Sequence, residues 1–164
     1  MKEKDWGSGL GEDARNIIGD IYEGLPVDEP NFKFFYTSPK QFSGFSRHSR
    51  NIIYFQKDTT NKFTIYKDLY SKPQLFFLIQ GEDEDILSNY LLENKSLIIN
   101  TIKDGERREK IRRIRKSLSK SNVLSERIGI KLVYPSIYKT VKDTINFVWL
   151  EKQILKGTLN IISY

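Results

Sequence analysis

The chain has 164 residues, with 27 Lys and Arg against 21 Asp and Glu, a formal charge of +6, one His and no Cys. That length is enough for one domain with a real core, and 38% hydrophobic with 29% charged residues is the balance of a globular protein rather than a disordered tail. The missing Cys excludes a disulfide scaffold, a Cys-type zinc site, an iron–sulfur cluster and a thiol nucleophile from this chain, and a lone His48 argues against His-rich metal sites.

The composition is skewed: 20 Ile, 18 Lys and 10 Asn, but a single Ala, Ala14. An A·T-rich coding sequence produces that pattern, so part of the basic pI of 9.4 can reflect codon usage. The longest strongly apolar run, Leu75–Ile79, is far below the roughly 20 residues of a spanning helix. Met1-Lys2-Glu3-Lys4-Asp5-Trp6 carries no apolar signal region, so the chain reads as cytosolic or as a mature or trimmed form.

In chain order, Gly7-Ser8-Gly9-Leu10-Gly11 is a turn. It has the wrong spacing for a dinucleotide fingerprint, and no strand precedes it. A helix is predicted from Glu12, with Ile17, Ile18 and Ile21 on one face and Gly24 and Pro26 as its stop. Val27–Asn31 is an extended linker. Four strands follow: Phe32–Thr37, Arg50–Gln56, Phe63–Lys67 and Gln74–Gln80, with Asp58–Asn61 as a hairpin loop. The runs Ile52–Phe55 and Leu75–Ile79 read as central strands buried on both faces.

Residues 82–127 read as helical. Glu82-Asp83-Glu84-Asp85 fits the N-terminus of a helix, where the dipole favours anions, better than a metal site, which needs converging ligands. Ile86, Leu87, Tyr90, Leu91, Ile98 and Ile102 keep helical spacing. Gly105 marks a break, and a second helix is expected over 106–127, with Ile111, Ile114 and Leu118 facing a sheet and Arg108, Arg112 and Arg115 exposed. The remaining strands are Ile130–Tyr134, Ile145–Leu150 and Thr158–Ile162. Helix, strands, helices, strands is the order of one α+β domain over 1–164, with helices packed on one face of a largely antiparallel sheet.

Two segments are candidates for function. Residues 103–120 hold nine basic side chains and three acids, a net +6 that equals the whole chain's charge; the rest balances at 18 against 18. Arg107, Arg108, Arg112, Arg113, Arg115 and Lys116 are therefore the candidate partner-binding residues, for phosphates, anionic headgroups or an acidic protein. The alternative is a solvated helix face. No RNA- or DNA-binding signature lies nearby.

The second segment runs from Phe42 to Asn51 and contains His48. A Ser–His–Asp triad is arithmetically available, but no Gly-x-Ser-x-Gly elbow presents a nucleophile. The candidate motif-loop residues are Phe42, Gly44, Phe45, Arg47 and Arg50, and the plainer reading is a loop in which Phe42 and Phe45 plug the core while Arg47 and Arg50 pair with acids. No catalytic, cofactor or metal residue is assigned.

Several fragments together resemble a Bacteroidetes family of envelope lipoproteins, the domain of unknown function 4837 family. They are Trp6 with Gly9, Gly11 and Arg15; Gly24-Leu25-Pro26 with Glu29-Pro30 and Phe32; Phe42, Gly44 and Phe45 with Arg50-Asn51-Ile52; Lys72-Pro73-Gln74; the basic helix; and Asn146-Phe147-Val148-Trp149-Leu150. The resemblance implies an exported protein held in the periplasm or at the outer membrane by a lipidated N-terminal Cys. The signal and that Cys are not in this chain, which would then be the N-terminal part of a longer lipoprotein. It implies no activity, cofactor or catalytic residue. One departure is that family members place His directly before Arg-Asn, where this chain has Ser49. The expectation is a non-enzymatic module that binds another envelope protein or envelope component, with nucleic-acid or anionic-surface binding through helix 103–120 as the alternative.

Overall fold

The structure is a computed structural model that describes residues 6–7, 9–19, 21 and 29–164. It is an α+β fold with two compact units, Met1–Gly105 and Glu106–Tyr164. The expected helix stop at Gly24 and Pro26, and the first part of the Val27–Asn31 linker, lie outside the described residues.

In the first unit, α1 (Leu10–Ile18) buries Leu10, Ala14 and Ile18, three residues spaced four apart on one face. It ends at Gly19 rather than Gly24, which leaves Ile21 beyond the helix and half exposed, in an isolated bridge with Pro30. The sheet has β1 (Asn51–Lys57), β2 (Lys62–Lys67) and β3 (Leu75–Gly81) in the order β1-β3-β2. β3 is parallel to β1 and antiparallel to β2.

The expected β1–β2 hairpin is therefore split by β3. The reason is hydrophobicity on both faces. Leu75, Phe76, Phe77 and Ile79 are all buried, so β3 takes the centre. The run Ile52–Phe55 is only half buried and lies on an edge, contrary to its reading as a second central strand.

Asp58 holds the arch over the end of β3. Its backbone N–H donates to the Gly81 carbonyl at 2.9 Å, and its carboxylate accepts from the Thr60 N–H and the Gln56 and Gln80 amides at 3.0–3.2 Å. The Thr60 N–H first, and the two amides after it, hold the Asp58 carboxyl below its usual range.

One face of this sheet packs on helices. Leu75, Phe77 and Ile79 meet Leu10, Ala14 and Ile18 of α1, Leu87 and Leu91 of α2 (Glu84–Glu93), and Ile98 and Ile102 of α3 (Lys95–Arg115). Asp83 caps α2 by accepting from the Ile86 N–H at 2.8 Å, and Glu84 pairs with Lys57 at 3.1 Å. The acidic run thus starts a helix. Among the described residues no three His, Asp or Glu side chains converge as metal ligands. Phe32 and Phe34 also pack on this core, but Phe32–Thr37 forms no strand: its alternation of burial has no ladder behind it.

α3 runs unbroken through Gly105. The break comes earlier, at Asn94, whose side-chain amide donates to the Tyr90 carbonyl at 2.8 Å. The expected helix over 106–127 ends at Arg115, and a separate short helix, α4 (Val123–Ile128), follows. No described helix is long and apolar enough to cross a membrane.

The second unit pairs β4 (Lys139–Thr144), β5 (Phe147–Ile154) and β6 (Gly157–Ser163) in antiparallel order. Val148 and Leu150 of β5 pack with Val123 and Leu124 of α4 and with Tyr134. Arg127 of α4 pairs with Asp143 of β4 at 2.8 Å. Gly129 ends α4 in the left-handed region, at φ 74°. Ile130–Tyr134, expected as a strand, forms no ladder: the Tyr134 carbonyl accepts from the Ser119 N–H at 2.9 Å, and the isolated bridge Leu118–Pro135 lies beside it. β4 was missed because all of its side chains are exposed, so no apolar alternation marks it. Its bulge between Thr140 and Lys142, with Lys139 and Lys142, is the usual protection of an edge.

Gly81 is a tight junction in the first unit. A Cβ there would lie 2.8 Å from the Ile86 side chain, at the turn from β3 into α2. Gly81→Ala is expected to lower stability by about 1–3 kcal/mol through overpacking, read from the urea midpoint; an unchanged midpoint would show that Ile86 yields freely.

Candidate functional site

The helices that pack on the β1-β3-β2 sheet within the first unit meet Leu75, Phe77 and Ile79, which lie on one face. Side chains alternate along β3, so Phe76 and Leu78 point away from the helical core. Phe76 is covered by rings. Tyr54 of β1 stacks on it at 5.7 Å, Tyr66 of β2 meets it edge-on at 6.4 Å, and Tyr70 does so at 5.8 Å. Phe42 completes the group, 5.4 Å from Tyr54 and 5.9 Å from Tyr70. Offset and edge-on rings at these distances attract one another beyond simple burial. Phe76 is buried, but Tyr66 and Tyr70 are each 40% exposed, so the cluster is a surface.

Phe42 arrives on the motif loop, which forms a 3-10 turn over Gly44–His48. Ser43 and Ser46 start that turn with a reciprocal capping box, and Gly44 sits in the left-handed region at φ 45°. Arg47 lies over two rings, 5.5 Å from Phe42 and 5.2 Å from Tyr70, and its Nε–H donates to the Phe42 carbonyl at 3.2 Å. The sequence reading had Arg47 paired with an acid. The aromatic group satisfies it instead, because no carboxylate of the described residues reaches it. Phe45 does not plug the core: it is 93% exposed at the crest of the turn. Arg50 directly precedes β1, and its carbonyl accepts from the Leu75 N–H at 2.7 Å. His48 is exposed, and the Ser71 hydroxyl beside it donates to the His48 carbonyl at 3.4 Å rather than to the imidazole.

The loop is fixed by Gln74, which is only 3% exposed. Its amide donates to the Arg47 carbonyl at 2.6 Å and the Ser49 carbonyl at 2.7 Å, and its Oε1 accepts from the Tyr70 N–H at 2.9 Å. Asp68, left-handed at φ 58°, accepts from the Gln74 N–H and donates its own N–H to the Gln74 carbonyl, both at 2.9 Å. One buried amide thus joins the 3-10 turn to the β2–β3 connection. A buried polar side chain is stable only when so satisfied.

The basic segment has a different character. Arg107, Arg108, Arg112, Arg113, Arg115 and Lys116 are exposed as expected, the first five in the second half of α3 and Lys116 just after it. Ile111 and Leu118 are also exposed, each 42%, so the expected inward stripe is not formed. Two or three isolated apolar residues are too few to define a buried face.

Glu109 is clamped by Arg112, at 2.6 and 2.8 Å, and by Arg113, at 2.8 Å. It is 7% exposed because the guanidiniums cover it. Hydrogen bonds from Arg112 and then Arg113, with their charges, hold its carboxyl down at about 2. Pairs three and four residues apart, and cations in the last turn, are what an exposed helix end needs. These contacts account for Arg112 and Arg113, while Arg108, Arg115 and Lys116 stay exposed on or just beyond the helix.

The sequence points to Phe42, Phe45 and Arg47 of this face as part of a candidate loop but not to Tyr54, Tyr66, Tyr70 and Phe76, although a charge signal existed. From Pro30 to Lys57 the chain holds Lys33, Lys40, Arg47, Arg50 and Lys57 and no Asp or Glu. The balance of 18 against 18 outside residues 103–120 concealed this stretch.

This is a fold of two α+β units, with an Arg-bearing aromatic face on the first. A family model, Domain of unknown function (DUF8532), matches residues 1–115, and the chain belongs to that family. A second model, Domain of unknown function (DUF4837), matches residues 117–164. The sequence resemblance to DUF4837 therefore holds for the last strands, with Asn146–Leu150; the fragments up to Lys72-Pro73-Gln74 fall in the DUF8532 match. No curated protein and no solved structure matches the chain.

Two predictions follow from these contacts. Gln74→Leu keeps the volume but strands the Arg47 and Ser49 carbonyls and the Tyr70 N–H. It should cost on the order of 2–4 kcal/mol in urea unfolding and speed amide exchange at Tyr70; wild-type stability and exchange would contradict the role given to Gln74. Glu109 is ionised more readily in the folded helix, so its stabilisation is full above the ordinary carboxylate range and is lost as pH falls from 4.5 towards 2. Glu109→Gln should flatten that part of the stability–pH profile, and a superimposable profile would count against the clamp.

Proposed function

We propose that this chain is a non-enzymatic binding module of the cell envelope, and that it holds a protein or another envelope component through the face formed by Phe42, Phe45, Arg47, Tyr54, Tyr66 and Tyr70. The observation that carries this reading is a guanidinium seated on two rings beside half-exposed tyrosines, on the sheet face opposite the helices of the first unit. Arg and Tyr dominate the energetics of protein interfaces because they combine a large contact area with directed polar groups. The chemistry of a catalytic site is different: it needs a base or nucleophile within hydrogen-bond reach of a partner, and the His48 imidazole has none among the described residues. The envelope placement rests on the resemblance of several sequence fragments to an envelope lipoprotein family; the family model matched over residues 117–164 is itself a domain of unknown function. In the alternative reading, the exposed cations at Arg107, Arg108, Arg115 and Lys116 bind nucleic acid or an anionic surface. It is the weaker of the two because Glu109 already engages Arg112 and Arg113.

Affinity capture from native envelope extract separates the two readings. The full chain should retain a partner that Phe45→Ala/Arg47→Ala loses and that Arg108→Glu/Arg115→Glu keeps. The reverse pattern, with binding that collapses between low and physiological salt, would transfer the function to the basic helix.

A further inference from the structure

We infer that the partner of the aromatic face is an acidic peptide segment, whose carboxylate is taken by Arg47 while its apolar or aromatic side chains lie on Tyr66, Tyr70 and Phe45. This rests on the reading of that face as the binding surface and adds the chemistry of what binds. Three observations lead to it.

The first is that Arg47 is an unpaired cation in a prepared position. Its Nε–H is spent on the Phe42 carbonyl, and its guanidinium plane rests on Phe42 and Tyr70. Its backbone is held from below by buried Gln74 at 2.6 Å. The terminal nitrogens face no described carboxylate, although such a fork matches one closely. Holding the side chain in place before binding removes an ordering cost from association.

The second is the field around it. The segment from Pro30 to Lys57 carries five cations and no acid. Lys33 and Lys40 are exposed on it, and Lys57 is answered by Glu84. Lys72 adds a further charge on the β2–β3 connection, 4.0 Å from Asp68. Lys57 lies at the far end of β1, whereas the end that holds the loop carries Arg47, Lys67 and Lys72 against Asp68, so the charge beside Arg47 is net positive and an acidic partner is steered and oriented there.

The third is the mixture of surfaces. Phe45 is 93% exposed, and Leu69, Tyr66 and Tyr70 are each at least 40% exposed on the same strand and connection. A polyphosphate ligand is held by several converging cations. Here one oriented cation sits within a patch of aromatic and aliphatic side chains, which is the footprint of a protein hot spot. A peptide carrying glutamate or aspartate beside tyrosine or leucine satisfies both parts.

The test uses the full chain and two blocked decapeptides: one of glutamate, tyrosine and leucine, the other with glutamine in place of every glutamate. Titration is followed by calorimetry and by amide shifts. The glutamate peptide should bind, with shifts confined to the 42–48 loop and the 66–74 connection, and the glutamine peptide should bind at least about tenfold more weakly. Arg47→Ala should abolish that discrimination. Arg47→Lys should restore only part of it, since a point charge lacks the fork. Both variants are at an exposed position, and unchanged urea midpoints confirm that they fold.

Equal binding of the two peptides, lost on Phe45→Ala, would overturn the acidic assignment and leave the aromatic face standing. No binding of either peptide, with envelope capture intact, would do the same. Failure of capture as well would bring down both. A single-stranded oligonucleotide that binds more tightly than the glutamate peptide, through Arg47, would overturn the inference in favour of nucleic acid.

Discussion

Leu75–Ile79 is apolar on both faces, and a strand of that kind must be covered on both. This constraint organises the first unit. It places β3 between β1 and β2, although β1 and β2 are neighbours in sequence, and it forces the 58–61 connection to arch over the end of β3. Leu75, Phe77 and Ile79 are covered by three helices whose apolar residues recur at four-residue spacing. Phe76 is covered by rings instead. Aromatic residues can do this from both sheet and loop because each brings a large flat surface and, in tyrosine, a polar end that tolerates water. Within the first unit, the covering of one face by tyrosines rather than by a helix leaves a surface there.

Gln74 connects that surface to the frame. It lies directly before β3, so its position is inherited from the strand, and its amide reaches the carbonyls of the 3-10 turn. The turn in turn presents Phe45 outward and lays Arg47 on the rings. A sheet that is rigid because its other face is a packed core thus orients a guanidinium through one buried amide. The second half of α3 is built on the opposite principle. Its charges are exposed on a helix end with few apolar residues, and its best-defined contacts are the local ones between Glu109 and the arginines that follow it. Charge density and a binding surface are separate properties here.

Some of this was legible along the chain. Periodicity identified α1, α2 and the first half of α3, because a core-facing stripe repeats with the helical turn. Alternation and aromatic content located β1, β2, β3 and β5. The acidic start of α2 was recognisable because capping chemistry is local, as Asp83 shows. The errors share a cause. Gly105 looked like a break, but glycine only weakens a helix, and Leu75 packs closely against it where a side chain would crowd. Phe32–Thr37 and Ile130–Tyr134 had strand-like residues without partners, while β4 had a partner without strand-like residues, since pairing with β5 supplies what its own pattern lacks.

Composition and periodicity were enough for the α+β class, the helical stripes, the central strand and the exclusion of thiol chemistry. These follow from composition and from periods that are local properties of the backbone. The sequence also contained the acid-free stretch from Pro30 to Lys57, visible once charge is read by segment rather than summed. Long-range packing sets the rest: β3 splits the hairpin, Phe45 faces water, and Arg47 rests on Phe42 and Tyr70. Those outcomes depend on residues far apart in the chain, such as Gln74 and Arg47, 27 positions apart, and no short window of sequence contains both partners.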